Sequence, residues 1–242
     1  MYAIKTENLT KKFKEKVAVN ALNLTVNEGE LYALLGVNGA GKSTTIKMLS
    51  CLTAPTEGDA LLLGSSIVKD REAVKQIINV SPQETAVAEK LSVRENLELI
   101  ARIYGSDKRT ARFRVDEIIE KFDMQEIAGS RAKTLSGGWQ RRLSIAMALI
   151  TEPKILFLDE PTLGLDVLAR RELWSVIENL KGKITIILTT HYLEEAESLS
   201  DRIGIMAKGR LKAEGTAKEL KSLADTDNFE EAFIRIAGEG TL

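Results

Sequence analysis

The segment LYALLGVNGAGKST at residues 31–44 determines the fold class of this 242-residue chain. Its first five residues are all apolar, as in a parallel β-strand that is buried on both faces. The stretch from Gly36 to Ser43 then matches the pattern G-x-x-x-x-G-K-[ST]. In this pattern the glycines let backbone N–H groups surround a phosphate, the lysine contacts the terminal phosphates and the hydroxyl binds Mg²⁺. A chance match arises in roughly one chain in a hundred of this length. The segment therefore predicts a phosphate-binding loop between a buried strand and a helix.

Three further apolar runs lead into polar side chains in the same manner. They are residues 77–80 with Gln83, residues 155–158 with Asp159 and Glu160, and residues 184–188 with His191. In open α/β sheets, ligands bind outside the carboxyl ends of the parallel strands. We therefore expect all four polar clusters to meet at one crevice.

Composition limits the possible functions. Lys and Arg number 34 against 35 Asp and Glu, so the chain has no basic excess for nucleic acid. The single cysteine, Cys51, excludes an internal disulfide, and the single histidine, His191, excludes a site with several histidines. The start resembles no signal peptide, and no apolar run approaches the roughly 18 residues of a membrane span. These observations predict a cytoplasmic protein.

The character of the chain changes twice along its length. Alternation of Leu22, Leu24 and Val26 with polar residues predicts an antiparallel β layer near the amino terminus. From about residue 84 to 150, apolar residues recur at helical spacing, which predicts a helical insertion. We expect a single domain with a catalytic core and β layer (1–83 and 151–217), a helical subdomain (84–150) and a short helical tail (218–242).

The acidic pair at the end of the third strand has two interpretations. In a phosphate-binding site, Asp159 can hold a magnesium-bound water and Glu160 can deprotonate the attacking water. Alone, the pair is equally compatible with a solvated strand end. By itself Gln83 resembles an ordinary loop residue, and a single histidine is more often structural. Their positions after strands favour contacts of Gln83 with the metal and of His191 with the γ-phosphate.

A second candidate phosphate cradle lies at residues 135–140, LSGGWQ. Ser136 is suited to cap a helix, and the two glycines after it permit close approach of an anion. Without the other motifs, an ordinary helix start would explain this segment. With only one lysine-bearing loop in the chain, a head-to-tail pair in which each cradle covers the other chain's nucleotide is an economical solution.

Together these motifs resemble the ATP-binding subunit of ABC transporters over nearly the whole chain. Residues 36–44 are similar to the Walker A loop, Gln83 to the Q-loop and residues 135–140 to the signature motif. Residues 155–160 are similar to Walker B with its catalytic glutamate, residues 163–166 to the D-loop and His191 to the switch histidine. The resemblance implies an α/β fold: a P-loop ABC ATPase with a RecA-like parallel-sheet core, an antiparallel β layer and an inserted helical subdomain.

The resemblance also implies roles for individual residues. Catalysis is assigned to Glu160, His191 and Gln83, and Mg²⁺ binding to Ser43, Gln83 and Asp159. ATP contacts are assigned to Phe13, Asn38, Gly39, Ala40, Gly41, Lys42, Ser43, Thr44, Ser136, Gly137, Gly138, Gln140 and Asp166. Phe13 corresponds to an aromatic that stacks on adenine, although a Phe in the strand core is an alternative.

The implied partners are a second copy or a paralogue in a head-to-tail dimer and an integral membrane permease. The permease places the chain at the inner face of the membrane, and no nucleic acid is expected. Trp139 stands where the family usually has Gln, and residues 163–166 read LGLD rather than SALD. These departures, with residues 190–197 and 228–233, resemble the drug and sodium exporters of the ABC-2 type and favour export of a drug, peptide, lipid or ion.

Three alternatives differ in class from a transporter ATPase. A soluble ABC ATPase acting on ribosomes or DNA usually carries two ATPase units or a coiled-coil insertion, and neither is present. A regulatory subunit that does not hydrolyse ATP has no need of Asp159, Glu160 and His191. A small-molecule kinase with the same loop has no need of the segment 135–140.

Overall fold

The structure is a computed structural model that describes residues 1–238. Its strands, in chain order, are β1 (Tyr2–Phe13), β2 (Lys16–Leu22), β3 (Thr25–Asn27), β4 (Leu31–Leu35), β5 (Glu57–Leu62), β6 (Ser65–Ser66), β7 (Ile78–Ser81), β8 (Ile155–Asp159), β9 (Thr185–Thr190), β10 (Arg202–Ala207) and β11 (Arg210–Gly215). Its α-helices are α1 (Lys42–Leu49), α2 (Arg71–Ile77), α3 (Val93–Ile103), α4 (Lys108–Lys121), α5 (Gly137–Leu149), α6 (Val167–Glu178), α7 (Leu193–Leu199), α8 (Ala217–Leu223) and α9 (Phe229–Gly238).

A six-stranded sheet forms the centre of the molecule. Its order is β11-β10-β4-β9-β8-β7, and all neighbouring pairs are parallel except β10 with β11. The four apolar runs of the sequence are the central strand β4 and the strands β9, β8 and β7 beside it. The prediction of a parallel sheet whose strand ends converge is therefore confirmed.

The two faces of this sheet pack against different cores, which explains its continuous apolar strands. In β8, Leu156 and Leu158 pack with the residues of α3 to α6. Ile155 and Phe157, which alternate with them, pack with α1 and the amino-terminal strands. Because successive side chains of a strand point to opposite faces, a strand covered on both sides needs apolar residues at every position.

The antiparallel layer is a second sheet in the order β2-β1-β5-β6, with β3 paired to β1. The apolar run at residues 60–64 predicts a further strand of this layer. That strand, β5, is present but begins at Glu57 and ends at Leu62, earlier than the run suggests. Leu63 has a φ of 45°, in the left-handed region that interrupts an extended strand. β2 borders the phosphate-binding loop, because Gly41 faces Ala18 and Val19.

Three α-helices, α3 to α5, lie between β7 and β8 in the chain, where the sequence predicts the helical insertion. A capping box at Ser92 starts α3, and the side chain of Asp107 caps α4. The charged sequence of residues 105–109 predicts a turn between these two helices. The turn is shorter than that, because Asp107 starts a helix that includes Lys108 and Arg109. The proposed boundaries at 83, 150 and 217 remain predictions.

The two tail helices, α8 and α9, pack on the outer part of the sheet through Leu220, Phe229 and Ala232. The last residues of the expected tail, 239–242, lie outside the described residues. Within residues 1–238, no helix is long and apolar enough to cross a membrane.

Candidate functional site

The loop after β4 is shaped by two glycines that no other residue can replace without movement. A Cβ on Gly36 meets the carbonyl oxygen of Met206 at 2.4 Å. Gly41 has a φ of 109°, and a Cβ there meets the carbonyl oxygen of Ala18 at 2.6 Å. The sequence predicts a helix from Thr44 onward, but α1 begins two residues earlier, at Lys42 directly after Gly41. The loop therefore leaves its backbone N–H groups and the positive end of α1 facing one concave space.

The ammonium group of Lys42 lies inside this space. Its Nζ donates to the carbonyl oxygen of Gly36 at 2.6 Å and lies 3.2 Å from Oε1 of Glu160. Lys42 is 5% exposed, so its charge is concentrated on the cavity rather than on bulk solvent. A buried cation at the mouth of a phosphate loop can bind the terminal phosphates of a nucleotide.

Three oxygen-bearing side chains meet beside the loop. Ser43 Oγ donates to Asp159 Oδ1 at 3.0 Å, and Thr189 Oγ1 donates to the same oxygen at 2.5 Å. Asp159 ends β8 and pairs in register with Thr189 of β9, which explains their proximity. Carboxylate and hydroxyl oxygens suit Mg²⁺, which usually takes only one or two carboxylates and otherwise binds water and phosphate. Residues 1–238 contain no group of three or more acidic, His or Cys side chains that could hold a metal ion.

Glu160, the residue after Asp159, lies between the ammonium group of Lys42 and the imidazole of His191. His191 Nδ1 lies 2.6 Å from Oε2, while Lys42 lies on the side of Oε1. Glu160 has a φ of 50° and precedes Pro161, so its backbone is in a region unfavourable for a non-glycine residue before proline. Such a conformation costs about 1–3 kcal/mol and persists only where neighbouring contacts enforce it. The Glu160 N–H donates to both Thr189 O and Thr189 Oγ1 at 3.1 Å.

A cavity of about 540 Å³ unites most of these groups. It is lined by Phe13, Lys16, Ala18, Asn38, Gly39, Ala40, Gly41, Lys42, Ser43, Thr44, Gln83, Glu160, Leu163 and His191. Phe13 is 50% exposed at the end of β1, so the alternative of a strand-core Phe is wrong. Lys11 Nζ lies 5.1 Å from the centre of its ring. Gln83 lies on the cavity wall at the end of β7. A larger cleft of about 730 Å³ lies at the opposite ends of the strands, near Gly29, Lys154 and Thr185, away from all of these groups.

The expected second cradle lies outside this cavity. Ser136 caps α5 by accepting from the Trp139 N–H at 3.4 Å. Gln140 donates to the carbonyl oxygen of Ala132 at 3.0 Å. Asp166 caps α6 by accepting from two backbone N–H groups at 2.9 Å. None of residues 136–140 and 166 lines the cavity of the same chain. Gly137 has open space around its Cα.

Sequence reasoning assigned no role to three polar residues around this site. Thr189 had a signal, since it belongs to the polar cluster that ends β9. Arg141 and Glu195 had none, because a charged residue in a helix usually faces solvent. Arg141 is 4% exposed, and burial lowers the pKa of its guanidinium to about 10, although Asp159 and Glu195 oppose this shift.

Glu195 lies on α7 with no exposed surface. Its Oε1 accepts from Thr162 Oγ1 at 2.8 Å and from Trp174 Nε1 at 3.0 Å. Burial raises the pKa of this carboxyl, and the hydrogen bonds only partly oppose the shift. Glu195 therefore anchors Thr162, two residues after Glu160.

The fold and cavity define a P-loop nucleotide-binding protein, and comparison with known proteins gives its family. A family model described as "ABC transporter" matches residues 19–163. The daunorubicin resistance ATP-binding protein DrrA3 of Streptomyces coeruleorubidus is 42% identical over 238 residues, which are 98% of this chain and 75% of that protein.

Two solved structures have the same fold. The ATP binding subunit of an ABC transporter superposes with a TM-score of 0.85 at 29% identity and covers 97% of this chain and 99% of its own. A dimeric post-hydrolysis state of the ATP-binding cassette MJ0796 bound to ADP and Pi has a TM-score of 0.78 at 28% identity, with coverage of 88% and 98%. The chain belongs to the ABC transporter family. The expected class, an ABC-type ATP-binding subunit, and the expected fold are confirmed.

Proposed function

We propose that this chain hydrolyses ATP with Mg²⁺ and that a head-to-tail pair of such chains powers an exporting membrane permease. One observation carries the proposal: a single cavity brings together Lys42, Glu160 and His191, with the Ser43–Asp159 pair beside it. A lone phosphate-binding loop supports nucleotide binding only. A buried carboxylate held between a cation and an imidazole adds the means of activating water.

The chain's own residues bind and orient the nucleotide. Lys42 and the N–H groups of residues 38–44 hold the phosphates, and Phe13 stacks on the adenine. Ser43, Asp159 and Gln83 hold Mg²⁺, which when bound neutralises charge on the phosphates. No side chain needs to form a covalent intermediate, since phosphoryl transfer depends mainly on positioning and charge stabilisation.

Glu160 accepts the proton of the attacking water, and its carboxylate is oriented by two neighbours. His191 holds Oε2 and, with its imidazole at the cavity wall, contacts the γ-phosphate. Lys42 lies 3.2 Å from Oε1 and turns toward phosphate when the nucleotide binds. Because Glu160 is 5% exposed, its charge is little screened by solvent.

The segment 135–140 and Asp166 complete the site of a second chain. The cap at Ser136 and the open space at Gly137 leave the start of α5 accessible to a phosphate outside the chain. The MJ0796 cassette is dimeric when bound to ADP and Pi, which supports the pairing of two such chains. The partner is either an identical chain or a paralogue.

Export is favoured by relatives named for drug resistance, such as DrrA3. A permease then supplies the membrane-spanning part and holds the chain at the inner face of the membrane. The helical region around Gln83 to Tyr104 contacts this permease, and boundaries at residues 83 and 150 separate the helical subdomain from the catalytic core.

The test measures phosphate release and molecular mass for the whole chain and for Glu160→Gln. The variant is expected to bind ATP, to lose at least about 100-fold in turnover and to shift from monomer to dimer when ATP and Mg²⁺ are added. Glu72→Gln, a change on the exposed side of α2, serves as the matched control. If Glu160→Gln turns over ATP at the wild-type rate, Glu160 is not the general base. A variant that binds ATP but remains monomeric contradicts the homodimer and leaves a paralogue as the partner.

A further inference from the structure

Arg141 joins two loops that carry residues of the candidate active site. Its Nε donates to Pro161 O at 2.7 Å and its Nη2 to Asp159 O at 2.8 Å. Its Nη1 donates to Gln83 O at 3.2 Å and also to Pro82 O. All of these acceptors are backbone carbonyls. One guanidinium therefore links the end of β7 to the end of β8.

The carbonyls of Asp159 and Pro161 flank the residue whose backbone is strained. Glu160, with a φ of 50°, lies between Asp159 and Pro161. The Asp159 carbonyl belongs to the peptide plane before Glu160, and the ring of Pro161 restricts the backbone after it. Holding both carbonyls from one rigid planar group restricts the rotation of Glu160 between them. Because these dihedrals set the direction of the side chain, Arg141 also controls where the carboxylate points.

Ion pairing does not explain the burial of this cation. No acidic side chain within the described part of the chain forms an ion pair with Arg141. A buried charge is costly to desolvate and is weak evidence for stability, whereas it can specify one conformation among several. The four carbonyl contacts supply such specificity.

Arg141 also stands near the start of α5, four residues after Gly137. The arginine next to it has a different environment: Arg142 pairs with Glu172 at 3.0 Å and stacks on Trp139. Thus only the first of the two arginines points to the nucleotide site of its own chain. Any displacement of the start of α5 moves the guanidinium that holds Asp159, Pro161 and Gln83.

We propose that Arg141 is a positioning residue that keeps Glu160 in its left-handed conformation and ties this conformation to the position of α5. The inference rests on the proposed function, in which the start of α5 contacts the nucleotide of the partner chain. A docked partner then holds α5 in place and, through Arg141, orients Glu160 and the Gln83 loop of the same chain. A chain without a partner has the residues for hydrolysis but lacks this restraint on α5.

The experiment compares the full-length chain with Arg141→Ala and Arg141→Lys. Both variants are expected to lose about 100-fold in kcat, the effect typical of a misplaced reacting group, while KM for ATP changes little because the phosphate loop is intact. Lysine fails because a single ammonium cannot span the carbonyls of Asp159 and Pro161. Arg114→Ala, a half-buried arginine of α4 that pairs with Glu152, is the matched control and is expected to keep wild-type turnover.

Chemical rescue distinguishes positioning from a general loss of structure. Methylguanidinium added to Arg141→Ala is expected to restore turnover by occupying the vacated space, whereas methylammonium at the same concentration is not. Should Arg141→Ala fail to fold, Arg141→Lys carries the kinetic comparison, with ATP affinity and the thermal midpoint measured beside it.

Two results overturn this inference alone. The first is a folded Arg141 variant whose kcat equals that of the wild type. The second is a folded Arg141→Ala variant whose kcat is reduced and is not restored by methylguanidinium. An inert wild-type chain, by contrast, refutes the proposed ATPase function itself. The two failures are therefore distinguishable in one set of measurements.

Discussion

His191 Nδ1 and Glu160 Oε2 lie 2.6 Å apart, which joins the residue after β9 to the residue after β8. The two strands are neighbours in register, so their carboxyl ends bring both side chains to the same height above the sheet. Lys42 approaches the other carboxylate oxygen at 3.2 Å. The Glu160 carboxylate is thus oriented by one contact at each oxygen, and a substitution of His191 or Lys42 removes either contact separately.

Replacing His191 with Ala removes one of these contacts. We expect kcat for ATP hydrolysis to fall about 100-fold, because Glu160 loses its orienting partner and the γ-phosphate loses a contact. ATP affinity is expected to remain close to that of the wild type. Phosphate release at saturating ATP, together with equilibrium binding of a fluorescent ATP analogue, checks both statements. An unchanged kcat contradicts the role of the His191–Glu160 contact.

Replacing Lys42 with Met keeps much of the side-chain volume and removes the charge. The affinity for ATP is expected to fall at least about 10-fold, equivalent to about 1.4 kcal/mol. The variant also loses about 1–3 kcal/mol of stability, since Gly36 O and the Glu160 carboxylate lose a buried partner. Titration with a fluorescent nucleotide and urea unfolding measure the two effects. Lys47→Met, on the exposed side of the same helix, is the control, and equal ATP affinities in the two variants count against the loop assignment.

Replacing Phe13 with Ala tests the base contact. Loss of base stacking costs about 1–3 kcal/mol, so KM for ATP is expected to rise by about tenfold or more while kcat is unchanged. The thermal midpoint is expected to stay constant, because Phe13 is half exposed and contributes little to the core. Phe113→Ala, at an exposed position of α4, controls for loss of a surface aromatic. Equal KM values for the two variants argue against stacking.

The buried carboxyl of Glu195 makes stability depend on pH in a defined direction. Burial raises its pKa above the ordinary value of 4.5 for a glutamate, so the folded state retains a proton that the unfolded state has released. Because of this group, the free energy of unfolding falls as the pH rises above about 4.5, by up to about 1.4 kcal/mol per pH unit. The loss ends once the folded carboxyl has also ionised.

Glu195→Gln removes this dependence while an amide oxygen still accepts from Thr162 and Trp174. We expect the difference in free energy of unfolding, variant minus wild type, to grow as the pH rises from 4.5 toward neutrality. Urea unfolding at several pH values measures it. Glu194→Gln, an exposed neighbour, is the control. Parallel stability curves for wild type and Glu195→Gln contradict a raised pKa at Glu195.

The sequence alone determined the features that depend on neighbouring residues. A continuous apolar run predicts a strand covered on both faces, and the pattern from Gly36 to Ser43 specifies a tight loop and a helix start whatever the rest of the chain does. Asp159 and Glu160 could be placed at a strand end for the same reason. Element boundaries were less accurate near β5 and α4, where Leu63 and Asp107 end or start an element by their own backbone or capping preference.

Only the tertiary structure decided which distant residues meet. The contacts of Arg141 with Asp159 and Pro161 and of Glu195 with Thr162 join elements that are far apart in sequence, and no local spacing encodes them. A buried charge and a solvated charge cannot be distinguished in a helical pattern. The periodicity shows which residues share a face of the helix, but not which other segments pack against that face. The left-handed backbone of Glu160 is likewise imposed from outside, since the local preference of a glutamate before proline is extended.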